Sequence, residues 1–201
     1  MSVPEFISAR RSIRAFDETA IDPELLDTCI EAACLAPAPH HSRPWRWVTI
    51  TSDESKAALA NGMGARWRED LRDDGISADR VDALVRASYD RLVASPALVL
   101  GCLTDDGLDH YPDARRQRAE YGMALLSLGA AVENLMLCAT ELGLASCWVA
   151  APIFCPEAAR DALALDPTWL PHALVCLGYP HSTYEPRVRP GIDLSALHAP
   201  R

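Results

Sequence analysis

Arg10, Arg11, Ser12 and Arg14 put three guanidinium groups and a hydroxyl within five positions of a chain whose formal net charge is −9. Such a cationic spot on an acidic protein suits one small anionic group, and converging charge-assisted donors are what a phosphate dianion takes. Further along, Ala36-Pro37-Ala38-Pro39-His40-His41-Ser42-Arg43-Pro44 is a Pro- and His-rich loop leading into Trp45-Arg46-Trp47-Val48-Thr49-Ile50. A loop entering a strand presents backbone and polar groups at the rim of a pocket. Near the other end, Arg187 and Arg189 alternate as residues of an extended segment do, so both can face one phosphate, the other reading being a solvated tail. Together these stretches point to a phosphorylated, flat cofactor.

Other chemistries have less support. His40 and His41 have no third His, Cys or carboxylate at ligand spacing, and the histidines at 110, 172, 181 and 198 are isolated in sequence, so no metal site is read. There is no G-x-S-x-G elbow, no Walker loop and no G-x-G-x-x-G; Asn61-Gly62-Met63-Gly64 has the wrong spacing. Trp45, Trp47 and Trp148 could stack on a ring system or sit in the core as strand aromatics do.

The elements that must position these residues follow from periodicity. Phe6 to Arg14 reads as a first helix, which would put Arg10 and Arg14 on one face four residues apart. Asp22-Pro23 opens a second, and Trp45 to Ile50 is a strand. Asp53 to Leu71 and Ala78 to Ala94 are polar helices around an Asp73-Asp74-Gly75 turn. Ala97 to Leu103 is apolar throughout, the mark of a strand buried on both faces. Arg115 to Leu142 is the longest helix, apolar nearly all round from Met123, and needs cover on both sides, from the sheet and from something else such as a second subunit. Ala145 to Ala150 and Ala173 to Gly178 complete the strands, with a short helix from Pro156 to Ala164 between them. The reading is one α+β layered domain spanning residues 1–201.

Composition bounds the partners. With 28 acidic against 19 basic residues, sequence-independent binding to nucleic acid or to an anionic membrane is disfavoured. Met123 to Ala139 is interrupted by Glu133 and Asn134, which fits a buried helix better than a membrane span. No apolar run of signal-peptide length precedes the arginines, so a cytoplasmic location is expected. The seven scattered cysteines are read as reduced core thiols.

With these residues in view, the chain resembles the FMN-dependent nitroreductase family over nearly its whole length. The resemblance implies a three-layer fold, a central mixed sheet flanked by helices, in a domain-interlocked homodimer. It implies FMN phosphate and pyrimidine contacts from Arg10, Arg11, Ser12 and Arg14, and further phosphate contacts from Arg187 and Arg189. Pro37, Ala38, Pro39, His40 and His41 match the segment that crosses from the other subunit onto the flavin. Cys147, Trp148, Val149, Ala150 and Ala151 match the segment beside the ring. At Ala38, Pro39 and His41 the sequence departs from the family's usual small hydroxyl residues and Asn, and at Arg43 from its usual Gln.

A narrower similarity is to the C-terminal flavin domain of the bifunctional enzyme of coenzyme F420 biosynthesis, carried by Ala36 to His41 with Arg43-Pro44, by Arg66-Trp67-Arg68-Glu69-Asp70-Leu71, by Tyr111-Pro112-Asp113-Ala114 and by Gly143 to Trp148. That similarity implies reduction of dehydro-F420-0 to F420-0 with hydride from FMN. Arg43, Arg66, Trp67 and Arg68 would hold the acceptor, and His40 or His41 would deliver a proton. Two other readings share the cofactor contacts: a generalist NAD(P)H-dependent nitro- or quinone reductase, and a non-catalytic flavin- or deazaflavin-binding protein.

Overall fold

The computed structural model describes residues 3–185 and 187–199. Its centre is a four-stranded sheet of β1 (Trp45–Ile50), β2 (Ala97–Leu103), β3 (Ala145–Val149) and β4 (Leu170–Gly178), ordered β1-β2-β4-β3. Every residue of β2 is buried, and so is every residue of β4 after Leu170. Alternation along these strands splits the apolar side chains between two cores. Ala97, Val99, Leu103, Ala173, Val175 and Leu177 face one core. Leu98, Leu100, Cys102, Leu174 and Cys176 face the other.

Helices cover both faces. On the first lie α2 (Pro23–Cys34), through Leu26, Cys29 and Ala33, and α5 (Ala114–Glu141), through Ala124, Leu128, Val132, Leu135 and Met136. On the second lie α3 (Asp53–Asp73), through Leu59, Ala60 and Met63, α4 (Ala78–Val93), through Leu92, and α7 (Pro156–Ala162), through Ala159. Local chemistry starts these helices where expected: Asp22 accepts from the Glu24 amide with Pro23 at the first position of α2, and Ser52 caps α3 by accepting from the Ser55 amide. α5 has the length and apolar composition of a membrane span, yet it packs on α2 and the sheet. Its outer stripe is left uncovered, with Leu126 77% exposed.

The structure corrects two expectations. The first helix, α1, is only Glu5–Ala9, and Arg10 already has extended angles (φ −52°, ψ 130°). The chain beyond it is claimed by the sheet: the Ile13 amide donates to the Ser146 carbonyl at 2.9 Å and the Asp17 amide to Tyr179 at 3.0 Å. Satisfying the open edge of β3 outweighs a weak local helix preference. Secondly, the sheet is mixed only through the parallel bridge of Ser12 to Ser146, because all three strand pairings are antiparallel. Unanticipated short helices occur at α6 (Ala151–Phe154) and α8 (Leu194–Leu197).

Gly178 holds the N-terminal segment close. A Cβ there would lie 2.8 Å from Cβ, Cγ and Cδ1 of Phe16, which itself bridges to Pro180. Gly178→Ala is therefore expected to push Phe16 away and cost about 1–3 kcal/mol. Urea unfolding checks this: the midpoint falls with the slope unchanged if overpacking is the cause.

Candidate functional site

The extended path of residues 10–14 decides where the cations go. The helical spacing expected to put Arg10 and Arg14 on one face is not formed: Arg10 leaves the helix with extended angles and turns toward α5, while Arg14 lies near Cys147 and Cys176 of the other core. Arg10 reaches Glu133 of α5 (Nε to Oε1, 3.2 Å), and Arg14 donates to the Ser12 carbonyl at 3.4 Å. Arg14 also acts electrostatically on β3, opposing the burial that pushes the Cys147 thiol up. Arg11 turns back onto the carbonyls of Ser8 and Arg10.

Two polar atoms at this segment, Arg11 Nε and Ser146 Oγ, are buried with no partner among the described residues. Unsatisfied buried donors are costly, and next to exposed cations they mark a place where a polar ligand fits. From the far end of the chain, Arg189 donates from Nη2 to the Arg10 carbonyl at 2.6 Å. Arg189 is thereby brought to the early cluster, while Arg187, two residues before, is exposed with no contact to that cluster among the described residues.

The Pro-rich loop forms a 3₁₀ turn at Pro39–His41, closed by the Ser42 amide and hydroxyl donating to the Pro39 carbonyl at 2.9 and 2.8 Å. His40, His41 and Arg43 have φ of 54°, 53° and 49°, a left-handed region that residues other than glycine seldom occupy. This backbone separates the two imidazoles. His41 and Arg43 line a cleft of about 480 Å³ with Cys34, Leu35, Ala36, Pro37 and Ala38. His40 turns instead toward Asp109 and Glu120.

A second cleft, of about 440 Å³, lies between α3 and the β3–α6 junction, where Arg66, Trp67, Val149, Ala151, Phe154 and Cys155 are among its lining residues. Its wall is mostly apolar, and Trp67 is 38% exposed there. Trp148 is exposed to a similar degree on the edge strand, and Ala150 is the residue that starts α6. Arg66 is held by Glu69 at 3.1 Å and Asp70 at 2.6 Å. Arg68 leaves this cleft and pairs with Asp82 of α4, in the groove between α3 and α4. The structure thus unites Arg66 and Trp67 with Val149 and Ala151, keeps the Pro37–Arg43 cleft apart from them within one chain, and sends Arg68 elsewhere.

All seven cysteines are free. Burial pushes the Cys102 thiol up to about 12, and burial together with neighbouring Cys138 does the same for Cys29. Sequence reading passed over Asp109 and Glu120, and it gave Glu133 and Ser146 no part in a site. For Glu120 a signal existed: it precedes Ala124 and Leu128 at helical spacing, so a carboxylate sat on the apolar stripe.

The profile of the nitroreductase family matches residues 7–179. A Streptococcus pyogenes protein named as NAD(P)H nitroreductase Spy0809 is 28% identical over 204 residues, covering 96% of this chain and 97% of its own. An Archaeoglobus fulgidus protein named as NADH dehydrogenase/NAD(P)H nitroreductase is 23% identical, covering 88% of this chain and 84% of its own. Among solved structures, a BluB-like flavoprotein from Clostridium difficile 630 superposes with a TM-score of 0.78 at 21% identity, covering 99% of this chain and 98% of its own. A second, NfnB from sphigopyxis sp. strain HMH, is described as FMN- and NADPH-dependent; its TM-score is 0.68 at 22% identity, over 97% and 96% of the two chains. The chain belongs to the nitroreductase family of oxidoreductases.

Proposed function

We propose that this chain is an FMN-dependent NAD(P)H oxidoreductase that reduces flat nitro or quinone acceptors. The observation that carries the reading is the bond from Arg189 to the Arg10 carbonyl, which gathers cations from both ends of the chain beside unpartnered Arg11 Nε and Ser146 Oγ. FMN with NAD(P)H as reductant is the cofactor pair of the family, and the donors present here fit a flavin phosphate and a polar ring edge. Arg10, Arg11, Ser12, Arg14, Arg187 and Arg189 would hold it, with Trp148, Val149, Ala150 and Ala151 beside the ring. When bound, FMN supplies the hydride. The protein then has three tasks: to neutralise the phosphate, to stack the acceptor against Trp67 in the apolar cleft, and to hold a proton at His41, whose ring lines the other cleft.

The site is complete only in a homodimer in this reading. Pro37, Ala38, Pro39 and His41 line a cleft of their own in one chain, and the family resemblance has that loop reaching the partner's flavin. The uncovered apolar residues Leu35, Leu126 and Phe154 give such a dimer a surface, being 77%, 77% and 78% exposed.

The narrower acceptor, dehydro-F420-0, has weaker support. Two of the three arginines it needs, Arg66 and Arg68, are paired with carboxylates of this chain, and the relatives described above carry nothing specific to a deazaflavin. The generalist reading therefore comes first.

Arg10→Ala and Arg14→Ala should each weaken FMN binding by about 1.5–3 kcal/mol, one to two decades in affinity, in a fluorescence titration; unchanged affinity in both removes the phosphate assignment. Leu126→Asp should shift the sedimentation coefficient to that of a monomer and release FMN together with the partner. Arg66→Ala should change kcat/KM for a neutral quinone and for an anionic deazaflavin precursor by similar, small factors, since its exposed ion pairs contribute little. A KM increase of tenfold or more for the anionic acceptor alone would restore the F420 reading.

A further inference from the structure

One cluster of side chains has no part in the clefts or the arginine site. His40 in the 3₁₀ turn, Asp109 after β2 and Glu120 in α5 each offer a ligand atom, all within 4.8 Å of one another. His40 Nε2 stands 3.6 Å from Asp109 Oδ2 and 3.9 Å from Glu120 Oε1. These separations are long for hydrogen bonds but near the roughly 3.4 Å between two ligands that each lie about 2.1 Å from a tetrahedral ion.

Glu120 gives the cluster its meaning. Its side chain is 0% exposed, its Oε1 accepts only a long 3.3 Å bond from the Asp109 amide, and its Oε2 has no partner among the described residues. A buried carboxylate with an orphaned oxygen needs a counter-charge, and one imidazole facing two carboxylates does not supply enough.

We propose that His40, Asp109 and Glu120 bind a divalent cation, of the zinc type, that ties the Pro39–His41 turn to α5. One imidazole and two carboxylates form the nitrogen and oxygen donor set that Zn²⁺ accepts. His40 and Asp109 are 52% and 59% exposed, which leaves the remaining coordination to water and an open route for the ion. The Tyr111 hydroxyl, donating to Asp109 Oδ2 at 3.3 Å, orients that carboxylate as outer partners of metal ligands do. Bound there, the cation holds His40 in its left-handed conformation and so fixes the loop that carries His41 and Arg43.

The test uses the full chain freed of metal by a chelator and titrated with Zn²⁺ by calorimetry, with thermal unfolding in parallel. The expected result is one equivalent per chain and a rise in Tm on zinc addition. X-ray absorption should show nitrogen and oxygen ligands. Asp109→Asn and His40→Ala should each weaken binding at least tenfold and abolish the rise in Tm, whereas His110→Ala, at an exposed neighbour outside the cluster, should change neither. Asp109 is exposed, so its variant remains decisive even if Glu120→Gln fails to fold. Zinc binding equal in the wild type and Asp109→Asn, or zinc held by sulfur, overturns the proposal.

Discussion

Two adjacent strands without a polar face, β2 and β4, set the terms for everything else in this molecule. A sheet whose centre is apolar on both sides has to be sandwiched, which demands helices on each face. One of those helices must be long and apolar, as α5 is. Such a sheet also has edges, and the edge at β3 is where the N-terminal segment is drawn in through Ile13 and Ser146. The cationic cluster is therefore positioned by a backbone requirement of the sheet rather than by any helix of its own. The end of β4 adds to this, because only a glycine at 178 lets Phe16 pack against it and keep the segment in place.

Much of this was legible in the residues. The apolar run Ala97–Leu103 carried the mark of a doubly buried strand, and Asp22-Pro23 marked a helix start through capping chemistry that is purely local. The path of Arg10 to Arg14 was not legible, because the partner that overrides local preference, Ser146, is remote in sequence. The same distinction runs through the charges. Glu69 and Asp70 lie within one helical turn of Arg66, so its pairing was available from spacing, whereas Asp82 belongs to another helix and its hold on Arg68 needed coordinates. His40 offered no signal of its own, since its two carboxylates come from after β2 and from α5.

The two clefts bear on the homodimer proposed above. Residues assigned above to one flavin site are divided within the chain between the wall of Pro37 to Arg43 and the wall of Trp67, Val149 and Ala151. Apolar surface left on α5 and α6 is the physical counterpart of that division. A chain can leave such surface exposed at little risk when association with its own copy is fast and buries it.

The thiols carry a consequence for the chemistry proposed. Quinones are soft electrophiles that add to thiolates, so an enzyme that handles them endangers its own sulfur atoms. Burial pushes the Cys29 and Cys102 thiols up to about 12, which keeps them in the unreactive protonated form at neutral pH. Self-alkylation in the core is suppressed by the same burial that builds the core. Cys34, half-buried on the wall of the His41 cleft, is the thiol that a molecule entering that cleft can touch.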